Sequence, residues 1–233
     1  MRSEKRGKRY LEAKKLLEPG KAYLLEEALE ILKKMPHTKF DETIDISFRL
    51  GIDSRQADQQ VRGTLSLPEG TGKKVRVLVF AKGEKAQEAR DAGADFVGEK
   101  ELIDKVSGGW LDFDVAVATP DIMREVSKLG RLLGPRGLMP NPKVGTVTFD
   151  LRKTIQAIQA GRVEFRADKS GNLHLPVGKV SFDKERLVKN VKAAIEAIQR
   201  AKPPACKGRY LKRAALSLSM GPGINLDLQS LSK

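Results

Sequence analysis

Leu67-Pro68-Glu69-Gly70-Thr71-Gly72-Lys73-Lys74-Val75-Arg76-Val77-Leu78-Val79-Phe80 is where the chain changes character. Its first half places Pro68, Gly70 and Gly72 close together, a breaker run that stops a strand and suits a linker. Its second half ends in four consecutive apolar residues, Val77 to Phe80. A strand buried on both faces needs such a run; a half-buried strand does not.

Upstream of this stretch the pattern is of the half-buried kind. From Thr43 to Leu50, Ile44, Ile46, Phe48 and Leu50 face one way, and Thr43, Asp45, Ser47 and Arg49 the other. Two helices precede this strand. The second carries Leu25, Ala28, Leu29 and Leu32 on one stripe between Leu24 and Met35, and Pro36 ends it. Val61 to Leu67 reads as a further strand, stopped by Pro68.

Downstream, Val115-Ala116-Val117-Ala118 repeats the continuous apolar run. Helical stretches at Glu84–Ala92, Glu101–Val106 and Asp121–Leu129 alternate with the runs. Such alternation implies a mostly parallel sheet with right-handed crossovers.

After Gly161 the alternating style returns. Val163 and Phe165 oppose Arg162, Glu164 and Arg166; Asp168-Lys169-Ser170-Gly171 reads as a turn; Leu173, Leu175 and Val177 oppose His174. A long amphipathic helix follows, with Leu187, Val188, Val191, Ala194, Ile195 and Ile198 on one face, closed by Pro203-Pro204. A last strand runs from about Arg209 to Ser219. Each flank alone is marginal as an independent core. The economical architecture is an α+β discontinuous first domain, residues 1–67 plus 161–233. A parallel-sheet α/β (Rossmann-like) second domain, residues 68–160, is inserted into it. The two chain crossings, near Leu67/Pro68 and Ala160/Gly161, would form a double-stranded hinge.

Charge points to the partner. The 233 residues carry a net +14, with a pI near 9.8, so a polyanion is the first candidate. The segments 1–67, 68–160 and 161–233 hold +3, +2 and +9 of that charge. A second cluster lies in Arg2, Lys5, Arg6, Lys8 and Arg9. One Cys and two His exclude a disulfide framework, a zinc finger and any multi-cysteine metal site. Aromatic residues at 5% disfavour a surface that works mainly by base stacking. No apolar run approaches a membrane span and the N-terminus lacks a signal-peptide core, so the expectation is a cytoplasmic chain with no membrane partner, monomeric when free.

Enzymatic readings find little support. The Ala81-Lys82-Gly83-Glu84-Lys85 loop lacks GxGxxG, no GxxxxGK[ST] occurs, and Glu84 would repel a phosphate. Asp112 and Asp114 sit at the start of their strand, away from the usual ligand end, and read as turn and cap residues. Cys206 lies in a basic stretch, yet neither His37 nor His174 has a catalytic context. A nucleotide-using enzyme on the α/β domain is the alternative function. No cofactor and no metal are expected.

Two segments invite nucleic acid. Gly130 to Lys143 packs three Gly, three Pro and three basic residues into one loop. It is either a connection fixed in shape or a stiff basic loop whose Arg131, Arg136 and Lys143 approach phosphates. The other site is assembled from the flanks. Lys39-Phe40 leads into the first strand, Asp168-Lys169 occupies a turn, and Ser219-Met220-Gly221-Pro222-Gly223 ends the last strand. If the flanks share one sheet, these ends are expected to come together. Hydroxyl, glycine backbone, Met and Phe would then meet riboses and base edges of structured RNA by shape. The competing reading makes Phe40 an extension of the core and Gly221-Pro222-Gly223 only a turn.

The same segments carry a family resemblance. Lys39-Phe40-Asp41-Glu42-Thr43, Gly51-Ile52-Asp53, Gln59 to Gly63, Ala81 to Glu84, Ala92 to Phe96, Lys128 to Gly145, Gly161 to Arg166 and Ser219 to Pro222 resemble the bacterial large-subunit ribosomal protein L-one family, over essentially the full length. The resemblance implies a two-domain fold with a discontinuous first domain. It implies a structural protein rather than an enzyme, bound to a helical junction of large-subunit ribosomal RNA in the mobile side stalk that handles exit-site tRNA. It also implies repression of the chain's own operon messenger RNA. The RNA contacts it implies are Lys39, Phe40, Asp168, Lys169, Ser219, Met220 and Gly221, with Arg131, Arg136 and Lys143 as a secondary rRNA or tRNA contact. The family usually has Thr where this chain has Ser219, which keeps the hydroxyl and drops a methyl. Asp168 would either accept a 2′-hydroxyl proton or orient Lys169.

Overall fold

The computed structural model describes residues 7–206 and 208–228. Of the N-terminal basic cluster, Arg2, Lys5 and Arg6 lie outside the described residues. In chain order the elements are α1 (Lys8–Lys15), α2 (Leu25–Lys34), β1 (Thr43–Leu50), β2 (Arg62–Ser66), β3 (Val77–Phe80), α3 (Glu84–Asp91), β4 (Phe96–Gly98), α4 (Lys100–Ser107), β5 (Val115–Ala118), α5 (Met123–Val126), α6 (Gly130–Leu133), α7 (Leu151–Gln159), β6 (Arg162–Arg166), β7 (Asn172–Lys179), α8 (Lys184–Arg200), β8 (Leu211–Leu218) and β9 (Ile224–Leu226). The chain divides into two compact units. One runs up to Gly72 and resumes at Val163; the other is Lys73–Arg162.

The first unit is built on a four-stranded sheet in the order β7-β1-β8-β9, antiparallel at each pairing. The alternation in β1 does what its pattern requires: Ile44, Ile46, Phe48 and Leu50 are each 2% exposed or less. Each such side chain contributes about 1.5–3 kcal/mol of burial. The same inner face receives Leu173, Leu175 and Val177 from β7, and Ala214, Leu216 and Leu218 from β8. α2 and α8 close it, through Ala28, Leu29 and Leu32 and through Leu187, Val191, Ala194, Ile195 and Ile198. Gly178 permits the close approach of α8, since a Cβ there would stand 2.8 Å from Leu187 Cδ2. The opposite face of the sheet carries the polar residues. β2 and β6 form a separate two-stranded sheet.

One polar side chain lies in the apolar stripe of α8. Asn190 is fully buried, donates Nδ2–H to Gly70 O at 2.9 Å and Val177 O at 2.8 Å, and accepts Glu69 N–H on Oδ1 at 3.0 Å. Arg186 and Lys189 reach the Glu69 carboxylate at 2.9 and 3.3 Å. These cations, Lys189 first, hold the Glu69 carboxyl below its ordinary pKa. The breaker stretch is therefore bonded to α8 as far as Gly70.

The second unit has a parallel three-stranded sheet, β4-β3-β5. All four β3 residues are fully buried. Leu78 and Phe80 pack with Ile103, Val106, Ile122, Val126, Leu129 and Leu133 on one face; Val77 and Val79 pack with Ala89, Leu151, Ile155 and Ile158 on the other. This two-sided burial is the reason for the unbroken apolar run.

Several local expectations are corrected. The helix expected over Asp121–Leu129 is a chain of 3-10 turns and one-turn helices from Pro120 to Leu133, extended because Leu129 and Leu133 bury on the same side. The expected loop therefore starts with helix α6 and opens only at Gly134. Asp112 and Asp114 are ion-paired beyond the expected turn and cap role: Arg76 bonds both carboxylates and Lys73 reaches Asp114 at 2.7 Å, while Asp114 Oδ2 also accepts the Arg76 N–H at 3.1 Å. α7 adds to the expected elements, its Leu151, Ile155 and Ile158 carrying a helical spacing.

Candidate nucleic-acid interface

The antiparallel register fixes where the proposed contacts fall. Thr43, the first residue of β1, lies opposite Lys179 of β7, and Ile44 lies opposite Leu218 of β8. Ser219 continues β8 beyond its last pair: its N–H donates to Thr43 O at 3.0 Å and its Oγ accepts Thr43 N–H at 3.1 Å. So Lys39-Phe40, just before β1, and Ser219-Met220-Gly221, just after β8, share one rim of the sheet. Phe40 is 56% exposed and Met220 57%. The reading of Phe40 as core is thereby excluded, because its parity with Ile44 is lost in the loop before the strand. Gly221 does form a turn, its N–H donating to Leu218 O at 3.2 Å. A Cβ at Gly221 would meet Leu218 Cβ at 3.0 Å.

Asp168 and Lys169 are elsewhere. β7 begins opposite the end of β1, with Arg49 facing Asn172 and Leu50 N–H bonded to Gly171 O at 2.8 Å. Their turn occupies the far rim. The eight residues of β1 separate the rims by roughly 24 Å, at about 3.4 Å per residue. The expectation that all three strand ends converge is therefore wrong for this pair: an antiparallel neighbour puts its beginning at the other strand's end.

The Asp168 carboxylate builds its own turn. Oδ1 accepts Ser170 N–H at 2.8 Å and Asn172 N–H at 2.7 Å, and Oδ2 accepts Asn172 Nδ2–H at 3.2 Å. The Asn172 backbone bond leads the causes that lower its pKa. Asp168 thus shapes the turn that presents Lys169, whose carbonyl accepts the Ser54 hydroxyl. Among the described residues no ion pair joins Asp168 to Lys169, so orientation of Lys169 runs through the backbone.

Between the rims lies the open face of the sheet, which sequence reasoning did not assign. β1 contributes Thr43, Asp45, Ser47 and Arg49; β7 contributes His174 and Pro176; β8 contributes Arg213, Ala215 and Ser217. Ser47 Oγ and His174 Nδ1 lie 2.9 Å apart. Burial pushes the Asp45 carboxyl up, against the pull of His174 and Lys179. The signal was present in the polar positions of Thr43–Leu50. Alternation alone cannot distinguish a working face from a solvated one.

In the second unit, Arg131, Arg136 and Lys143 are all exposed, and among the described residues none of them forms an ion pair. Leu138 N–H bonds Leu133 O at 3.0 Å, and Asn141 Oδ1 accepts Lys143 N–H at 2.8 Å, so the loop is held in shape by its own backbone. At the carboxyl ends of the parallel strands, where a nucleotide would be sought, Lys82 pairs with Glu99 at 2.9 Å and Glu125 at 3.1 Å. Cys206 is buried, with Sγ 3.3 Å from Gly51 O. Among the described residues no group of three His, Cys, Asp or Glu is placed to hold a metal, and no helix is long and apolar enough to cross a membrane.

The profile of the ribosomal protein L1p/L10e family matches residues 32–222, a span that holds both rims and the exposed loop. The chain belongs to the ribosomal protein L1p/L10e family. It is similar to the large ribosomal subunit protein uL1 of Kosmotoga olearia, 58% identical over 227 residues, which are 97% of this chain and 98% of that protein. Membership of the L1p/L10e family makes this a structural, ribosomal RNA-binding protein of the cytoplasmic ribosome and not an enzyme.

Proposed function

We propose that the open sheet face and its two rims form one surface for a helical junction of large-subunit ribosomal RNA. On this reading the first unit is a discontinuous RNA-binding domain, and the inserted unit is the part of a side stalk that meets exit-site tRNA through Arg131, Arg136 and Lys143. The observation that carries the reading is the exposure of Phe40 and Met220 at the edge of a polar sheet face that α2 and α8 leave uncovered.

The chemistry suits structured RNA. Hydroxyls, a glycine turn and two apolar side chains contact ribose and base edges by shape, because the wide minor groove of an RNA helix displays 2′-hydroxyls. Lys39, Lys169, Arg49 and Arg213 stand on the rims and the face to neutralise phosphates. The free chain works as a monomer. When unassembled it binds the leader of its own messenger RNA with the same surface and represses its translation. It also assists release of exit-site tRNA.

A competition assay tests this. Stalk-junction ribosomal RNA and the chain's own messenger leader are titrated against each other over a salt series. Mutual displacement, with both affinities lost on Met220→Asp, is expected. Simultaneous binding of the two RNAs, or full affinity in the variant, would overturn the shared surface.

A further inference from the structure

The loop that presents Lys39 and Phe40 is tied shut by a carboxylate that solvent does not reach. Glu42 is 2% exposed. Its Oε1 accepts Thr38 N–H at 3.2 Å, and its own carbonyl accepts Val180 N–H at 3.0 Å. Its Oε2 is sealed and, among the described residues, has no partner. A buried acceptor without a partner opposes folding, so core stability alone gives no reason for a carboxylate here. What Glu42 does achieve is geometric. It joins the two ends of the segment 38–42, and Phe40 stands between them.

Other bonds hold the outer side of the same loop. Thr38 Oγ1 donates to Phe40 O at 3.0 Å, Ser181 bonds the Asp41 carboxylate at 2.8 and 3.2 Å, and Lys179 Nζ reaches Asp41 O and Thr43 Oγ1 at 3.2 and 2.9 Å. With both ends fixed, little conformational freedom remains for Phe40 to lose when a ligand arrives.

We infer that Glu42 is a positioning residue for RNA binding: it touches no RNA, and it acts by holding the 38–42 loop so that Lys39 and Phe40 meet the ligand preorganised. This rests on the reading of the Phe40 rim as RNA surface. It predicts coupling to that rim and independence from Lys169 on the far rim, a pattern that general destabilisation would not produce.

The test uses the full chain and a stalk-junction ribosomal RNA fragment at fixed salt, with thermal melting to confirm that each variant is folded. Glu42→Ala is expected to weaken binding about five- to tenfold, the equivalent of one lost hydrogen bond. Glu42→Gln, which keeps the acceptor for Thr38, is expected to stay within about threefold of wild type by the same reasoning. Glu42→Asp keeps the carboxyl group but falls short of Thr38, and serves in place of Glu42→Ala should that variant not fold. Adding Phe40→Ala to either disabling variant is expected to cost much less than it costs alone, whereas Lys169→Ala adds in full. Unchanged affinity in Glu42→Ala or Glu42→Asp, beside a clear loss in Phe40→Ala, overturns this inference alone, as does full additivity with Phe40→Ala. Wild-type affinity in Phe40→Ala overturns the reading of the rim, and this inference with it.

Discussion

Ser219 and Thr43 hold each other at the mouth of the sheet: the Ser219 amide donates to the Thr43 carbonyl, and the Thr43 amide donates to the Ser219 hydroxyl oxygen. The hydroxyl is thus part of the scaffold before any RNA is present. Ser219→Ala should leave the Thr43 amide unpaired, lower stability by about 1 kcal/mol and weaken RNA binding several-fold. Ser219→Thr retains the acceptor and should bind like wild type. Equal affinity in all three chains would show that the hydroxyl has no part in the interface.

The rims should respond differently to salt. Lys169→Ala removes an exposed cation and should reduce the slope of log affinity against log salt by about one. Phe40→Ala should weaken binding with the slope unchanged, because no phosphate contact is lost. Met220→Asp should abolish binding in a chain that melts normally, Met220 being exposed. Filter binding at four or five salt concentrations separates these outcomes; an unchanged slope in Lys169→Ala would place that lysine outside the interface.

The Asp168 turn should loosen in acid. Its folded pKa lies below the ordinary Asp value, so its contribution is complete above about pH 3.9 and is lost as pH falls through the lower folded value. Amide exchange at Ser170 and Asn172 should accelerate in that window and not in Asp168→Asn. Protection that is flat down to the acid unfolding transition would contradict the assignment.

Asn190→Leu should be costly although leucine suits a buried helix face. Three backbone groups, at Glu69, Gly70 and Val177, lose their partner at once. A loss of roughly 2–4 kcal/mol in urea denaturation is expected. A loss under about 1 kcal/mol would mean that water replaces the amide.

Joining Gly72 directly to Val163 should leave a folded, RNA-binding chain. The core of the first unit runs from Ala13 to Leu226 without one residue of the insert. Cooperative melting and retained affinity for the stalk-junction RNA are the expected results. A chain without a melting transition would show that the insert is needed for folding.

Local pattern made much of this fold legible. Ile44 to Leu50 alternate because one face of β1 is buried, and Val77 to Phe80 do not because both faces of β3 are. What stayed hidden was either short or non-local. β4 and β9 have three residues each, too few for a period to show. The placing of Phe40 and Lys169 on opposite rims depends on register between strands more than 120 residues apart in sequence, which no single segment encodes. The Asp168 carboxylate was legible as a turn residue, while its three bonds were not. Glu42 is legible only as a member of the Lys39–Thr43 motif; its burial is not, because a glutamate ahead of a strand is ordinarily solvated.

The length of β1 acts as a ruler. On the proposed reading its ends set a fixed interval between the edge that carries Lys39, Phe40 and Met220 and the edge that carries Lys169, and the sheet is too stiff to stretch. An RNA whose ribose edges and phosphates are spaced differently can satisfy one edge at a time. Selectivity among folded RNAs can therefore come from separation, measured along a strand, as much as from the identity of any base.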